Sequence, residues 1–143
     1  MSIPISHIMR SKLVTCDVNS TLKQVSQTIL NEDVGSVLVK QGEDIIGIIT
    51  QNDLLRAVLK EKDFNQTLAK DIMSYPLDYC EYDDSLEEAF KKFEQTGRSR
   101  LVVKREGKVV GVLKRKILER FKTAQRAYKL TDISRPQTFR RGD

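Results

Sequence analysis

Apolar residues recur along this chain in two rhythms, and the same succession of rhythms occurs twice. Residues 13–18 and 77–82 each read as a short extended segment. In the first copy Leu22, Val25, Ile29 and Leu30 then fall on one helical face, with Asn19 or Ser20 offering the capping oxygen. In the second, Leu86, Ala89, Phe90 and Phe93 repeat that spacing behind an Asp84–Glu87 capping box. Gly35 and Gly97 are expected at the two helix ends, where a left-handed residue is favoured. Residues 36–40 with 45–50, and 101–104 with 109–114, flank Gly-containing turns and predict hairpins. Ile45-Ile46-Gly47-Ile48-Ile49 and Val109-Val110-Gly111-Val112-Leu113 do not alternate, so both should be strands covered on two faces. Their mid-strand glycines mark places where backbone or a ligand comes close. A helix should follow each strand, over 52–62 and 115–127. Each copy is thus strand, helix, strand, strand, helix, an α/β fold of the α+β kind.

The duplication can be read residue by residue. A gapless offset of 64 superposes Ile8-Met9 on Ile72-Met73, Leu13 on Leu77, Cys16 on Cys80, Leu22 on Leu86, Val39-Lys40 on Val103-Lys104, Gly47 on Gly111, Leu54 on Leu118 and Arg56 on Arg120. The expected organisation is one repeat over 1–62, a connection over 63–70, a second repeat over 71–122 and a tail over 123–143. A single copy leaves one sheet face bare. Packing the two copies face to face about a pseudo-twofold axis would cover both.

Composition adds limits. The 143 residues are 39% hydrophobic and 31% charged, as in an ordinary globular chain, and no window has the roughly 18 to 20 consecutive apolar residues of a membrane span. The first residues carry neither a basic start nor an apolar run, so a cytoplasmic location without a signal peptide is expected. Cys16 and Cys80 lie far apart in no metal spacing and read as small buried hydrophobes. The net charge of +5 is uneven: residues 114–143 carry +7, so the rest sums to −2.

The candidate chemistry sits in residues 47–53, where an apolar strand runs into Thr50 followed three residues later by Asp53. That pairing either caps a helix or holds the hydroxyls of a sugar, since an ionised carboxylate is acceptor-only and a helix N-terminus favours phosphate. Copy two has Lys114 and Ile117 at the matching positions and still predicts a helix. The cap is therefore not what the fold requires, and Thr50 and Asp53 read as ligand residues, with capping alongside.

The repeated Ile-Met, Gly35-Ser36-Val37-Leu38-Val39, the turn glycines and Gly47-Ile48-Ile49-Thr50-Gln51-Asn52-Asp53 together resemble the CBS domain family, and specifically the tandem pair called a Bateman module. The resemblance covers about residues 3–122. It implies a non-catalytic module that binds AMP, ADP, ATP or S-adenosylmethionine between the repeats, needs no catalytic cofactor and often pairs into a flat homodimeric disc. By the family's pattern Thr50 and Asp53 would hold the ribose, and Arg100 and Lys116 the phosphates. Ser99 stands beside them where relatives often have His. Leu13, Val14, Ser36 and Val37 would wall the adenine slot. Positive lining favours phosphorylated nucleotides over S-adenosylmethionine, which carries its own cation.

Other chemistry is weakly signalled. His7 is the sole histidine and has no nucleophile or acid at a suggestive spacing; Walker, zinc and dinucleotide motifs are absent. The competing function lies in the tail, whose basic residues with Tyr128 and Phe139 could contact nucleic acid or a protein partner, leaving the repeats as a dimeric adaptor scaffold. The regulated partner is not legible from sequence.

Overall fold

The structure is a computed structural model, and it describes residues 3–130. The elements of the first unit are β1 (Thr15–Asp17), α1 (Leu22–Glu32), β2 (Ser36–Gln41), β3 (Asp44–Thr50) and α2 (Gln51–Leu59). After a short helix α3 (Ala69–Ile72) the second unit follows as β4 (Tyr79–Glu81), α4 (Leu86–Thr96), β5 (Arg100–Arg105), β6 (Lys108–Lys114) and α5 (Arg115–Leu130). Every element of the second unit begins at the offset of 64 that the sequence carries. Residues 131–143, the end of the basic tail, lie outside the described residues, whereas the tail's start continues α5.

Each unit has one three-stranded sheet, with the first strand parallel and the third antiparallel to the middle one. Even the register irregularity repeats, at Val39/Lys40 and Val103/Lys104.

The caps of the first helix in each unit fall one residue later than the sequence suggests, whereas α2 begins one residue earlier than expected and α5 at the expected Arg115. Thr21 caps α1 and Ser85 caps α4, each in a reciprocal box with Gln24 or Glu88. Asp84, expected to cap, instead accepts from the Glu81 amide at 2.9 Å and pairs with Lys92 at 2.9 Å. The turn before the helix uses the carboxylate, leaving the neighbouring hydroxyl for the cap. The ends also separate the two glycines. Gly97 takes the left-handed C-cap of α4 at φ 68°, but the matching residue of α1 is Asp33 at φ 53°, not Gly35. Gly35 has another reason to lack a side chain: a Cβ there would collide with the terminal nitrogen of Arg100, reaching across from the other unit.

Three apolar clusters hold the molecule. Leu22, Val25, Ile29, Val37, Val39 and Ile49 fill the first unit, and Cys80, Ala89, Phe93, Leu101, Val103 and Leu113 the second. Between them Leu38, Ile48, Val102 and Val112 meet, rimmed by Leu13, Ile45, Leu77 and Val109. These eight are four pairs at the same offset, so the bare sheet faces do cover each other about a pseudo-twofold axis. Each of the four buried side chains contributes on the order of 1.5–3 kcal/mol.

The segments leading into each unit are exchanged. Ile5, Ile8 and Met9 pack into the second core, while Phe64, Ala69, Ile72 and Met73, which precede the second unit, pack into the first. This explains the mid-strand glycines. A Cβ at Gly47 would lie 2.6 Å from Met73 Sδ, and one at Gly111 would lie 2.5 Å from Met9 Sδ. The close approach that those glycines signalled is thus made by the exchanged methionines.

Candidate functional site

β3 delivers Thr50 to the start of α2, and the two residues of interest are bound to each other there. Asp53 Oδ2 accepts from the Thr50 amide at 2.8 Å and from its hydroxyl at 3.0 Å, while Thr50 Oγ1 accepts from the Asp53 amide at 3.3 Å. The capping use of this pair is therefore present in the structure. In the second unit β6 ends at Lys114 and α5 begins at the matching residue, although Ile117 supplies no carboxylate. The other oxygen, Asp53 Oδ1, accepts from Arg56 at 3.1 Å, a pair whose arginine side chain is 64% exposed.

A cleft of about 200 Å³ opens over this helix start. Its walls are Ile48, Thr50, Asn52, Asp53 and Arg56 from the first unit and Ser74, Gly97, Arg98, Ser99 and Arg100 from the far side. An adjoining cleft of about 380 Å³ shares Asn52, Ser99 and Arg100 and extends over Gln51, Lys114, Arg115 and Lys116, with Glu119 as its one acid. It lies between the N-terminal ends of α2 and α5, whose dipoles both favour an anion there.

Of the residues singled out from sequence, Thr50, Asp53, Ser99 and Arg100 share the first cleft, and Lys116 joins Ser99 and Arg100 in the second. The four assigned to the adenine slot line neither. Val14 and Val37 are buried in the first core, Leu13 packs in the cluster between the units, and Ser36 is wholly buried. Ile48, Ser74 and Arg98 line the cleft without having been picked out. Arg98 donates to Asp78 Oδ2 at 2.7 Å and to Ser74 Oγ at 3.1 Å, so its charge is already engaged. Ser74 follows one of the two repeated Ile-Met pairs, a signal that marks the segment in sequence but not where it packs.

Arg10 follows the other Ile-Met and carries the same signal. Its terminal nitrogen lies 3.5 Å from both the carbonyl and the hydroxyl of Ser36, and its Nε is buried with no hydrogen-bond partner. The Nε of Arg100 is orphaned in the same way. Arg100 also stands opposite Lys114 in the β5–β6 ladder. Burial lowers the pKa of all three cations; Arg10 lowers Arg100 further while Asp53 partly offsets it, and Arg100, then Arg10, lower Lys114. The centre of the molecule is thus a knot of half-buried positive charge, with Asp53 as the acid that acts on it. Among the described residues no cluster of His, Cys, Asp and Glu could hold a metal ion, and no helix is long and apolar enough to cross a membrane.

A family profile described as CBS domain matches residues 5–60 and again 69–121. An uncharacterized protein of Methanopyrus kandleri is 30% identical over 115 residues, covering 78% of this chain and 59% of that protein. The chain spans 59%, 39% and 18% of the length of three relatives with which it aligns. Among solved structures, an uncharacterized conserved protein from Pyrococcus horikoshii superposes with a TM-score of 0.76 at 22% identity, covering 85% of this chain and 93% of its own. A CBS domain pair solved in complex with 5′-methylthioadenosine and S-adenosyl-L-methionine superposes at 0.75 with 16% identity, covering 87% of this chain and 99% of its own.

Proposed function

The chain belongs to the CBS domain family, as a tandem pair, and on that premise we propose that it is a non-catalytic regulatory module that binds an adenosine-containing ligand in the Asp53 cleft. The observation that carries this reading is the meeting of acid and base in one cleft: Thr50 and Asp53 come from the first unit, Ser99 and Arg100 from the second. A ribose would sit on Asp53. Its phosphates would run past Ser99 and Arg100 toward Lys116 in the adjoining cleft, where two helix ends add their dipoles. The bound 5′-methylthioadenosine and S-adenosyl-L-methionine of a CBS pair with this fold support an adenosine ligand, and the positive lining supports AMP, ADP or ATP over the sulfonium compound.

The capping bonds narrow the chemistry at Asp53. Oδ2 is committed to the start of α2, so the ribose hydroxyls would be taken by Oδ1 in place of Arg56. An exposed pair of that kind is worth about 0–1 kcal/mol, so displacing it is cheap.

The signal would leave through a homodimer. Helix α2 exposes Leu55, Val58 and Leu59 at the i, i+3, i+4 spacing, whereas α5 has Glu119, Lys122 and Thr123 at the matching positions. A second copy pairing along α2 would cover that face, and a ligand that prefers one dimer geometry would shift it in proportion to that preference. Calorimetric titration with AMP, ATP and S-adenosylmethionine, together with sedimentation at each end point, tests the reading. Binding that vanishes in Asp53→Ala supports it; no binding of any of the three, or binding unchanged in Asp53→Ala, refutes it.

A further inference from the structure

The two units end in matching helices, and only one of them is charged. Helix α2 has 9 residues and is neutral, with Asp53 against Arg56. Helix α5 has 16 residues and carries Arg115, Lys116, Arg120, Lys122, Arg126 and Lys129 against the single acid Glu119. Six cations less one acid give +5, the net charge of the whole chain, so everything outside α5 balances to zero. The three positions that α2 fills with exposed Leu55, Val58 and Leu59 hold Glu119, Lys122 and Thr123 on α5. The surface has changed from apolar to charged over the same fold, so α5 has no apolar face of that kind to offer a second copy.

We propose that α5 is a docking surface for the phosphate backbone of a nucleic acid, bound without regard to base sequence. The distribution of its cations carries the proposal. Lys116, Lys122 and Arg126 are exposed, and Arg115 and Arg120 are half-buried. Lys116 and Arg126 stand ten positions apart, about 15 Å along a helix. That span is too long for one small anion, and it covers about four phosphates of one strand at 3.4 Å of duplex axis each. The ammonium of Lys122 lies 4.0 Å from the centre of the Phe90 ring and the Arg115 guanidinium 5.9 Å from it, so α4 helps to hold both cations in place. Two acids stand beside them. Glu119 is engaged by Arg115 at 2.9 Å, and Glu87 of α4 shares with Lys122 a small pocket of about 40 Å³. Among the described residues none of the large exposed apolar side chains is on α5, which leaves it without the apolar face that a helix lying in a lipid surface needs. The sequence beyond the helix continues the same sign, with Arg135, Arg140 and Arg141 against Asp132 and Asp143. Lys122 and Arg126 line neither of the two clefts, so this surface stands apart from the adenosine reading.

Fluorescence anisotropy with a short labelled DNA duplex, the RNA duplex of the same sequence and one of the single strands, all without added nucleotide, tests the proposal. Contacts from the three exposed cations predict that duplex DNA binding falls about 40-fold between about 50 and 200 mM salt. Lys122→Glu combined with Arg126→Glu should weaken binding about tenfold or more, whereas Lys60→Glu combined with Lys62→Glu, the same change of charge at exposed positions beyond α2, should weaken it less than about threefold. No binding of any of the three nucleic acids at low salt overturns the proposal, as does an equal loss in the two double variants. If no nucleic acid binds and the α5 variant instead changes the sedimenting mass, α5 is a contact between copies and the proposal falls. Should the α5 double variant not fold, Arg126→Glu alone serves in the same titrations, with an expected loss of about threefold; affinity unchanged by it overturns the proposal.

Discussion

Arg100 and Lys114 face each other across β5 and β6 at the rung where Ser36 and Thr50 face each other across β2 and β3. One rung joins two hydroxyls, and its copy joins two cations. Removing one cation should therefore stabilise the protein. Lys114→Thr is expected to raise the free energy of unfolding by about 0.5–1 kcal/mol, measured by urea denaturation in buffer without phosphate.

Asp53 has two jobs, and they can be measured apart. Asp53→Ala removes the box at the start of α2 and is expected to cost about 0.5–2 kcal/mol by chemical denaturation, besides abolishing the response to adenosine ligands. Arg56→Ala frees Oδ1 without touching the cap. Its stability should change by no more than about 1 kcal/mol, and its affinity for AMP should hold or rise in a calorimetric titration.

Gly47→Ala pushes a methyl group into Met73 Sδ and toward the Ser74 carbonyl, which stands 3.1 Å from the added carbon. The expected cost is about 1–3 kcal/mol. A cycle with Met73→Ala checks the cause, since the two substitutions should be less than additive.

Burial raises the Cys16 thiol to about 11 and the Cys80 thiol to about 12, with nearby Asp17 and Asp84 pushing the same way. Both exceed the ordinary value of 9.0, so above that pH the unfolded chain loses its thiol protons while the folded chain keeps them. Stability from these groups is full below about pH 9 and falls as pH climbs toward 11 and 12. Lys114, lowered from 10.5, acts with the opposite sign and recovers stability as it discharges. Comparing urea midpoints of wild type and Cys80→Ala at about pH 8 and about pH 10 isolates the thiol, and the alanine variant should lose less on the way up.

How far the sequence carried the structure follows from what kind of interaction decides each feature. Strand and helix order came from apolar periodicity, which is local, and the offset of 64 transferred every boundary from one unit to the other except the end of the last helix, which runs on to Leu130. The pairing of Leu38, Ile48, Val102 and Val112 was implied by each copy having one bare face. Cap positions slipped by one because Asn19, Ser20 and Thr21 all carry acceptors, and only the turn geometry selects Thr21. Gly35 was read as a helix end when its constraint is a side chain from 65 positions further along, Arg100. The exchange of the leading segments is likewise invisible to a linear reading, and with it the placement of Ser74 and Arg10. At the cleft, Thr50, Asp53, Ser99, Arg100 and Lys116 were legible through motif and resemblance, whereas Leu13, Val14 and Val37 are apolar residues whose character suits packing and an adenine wall alike, and Ser36 is polar but buried.

The exchange of leading segments has a further result. Each core borrows its closing residues from the stretch of chain that introduces the other, Ile5 and Met9 in one direction and Ala69 and Met73 in the other. Neither half owns a complete interior. The pair is therefore the smallest piece that can stand alone, and it should melt in a single cooperative step. Ser74 sits one residue beyond Met73 and on the wall of the cleft, so anything that tugs on it there pulls directly at the plug of the first core.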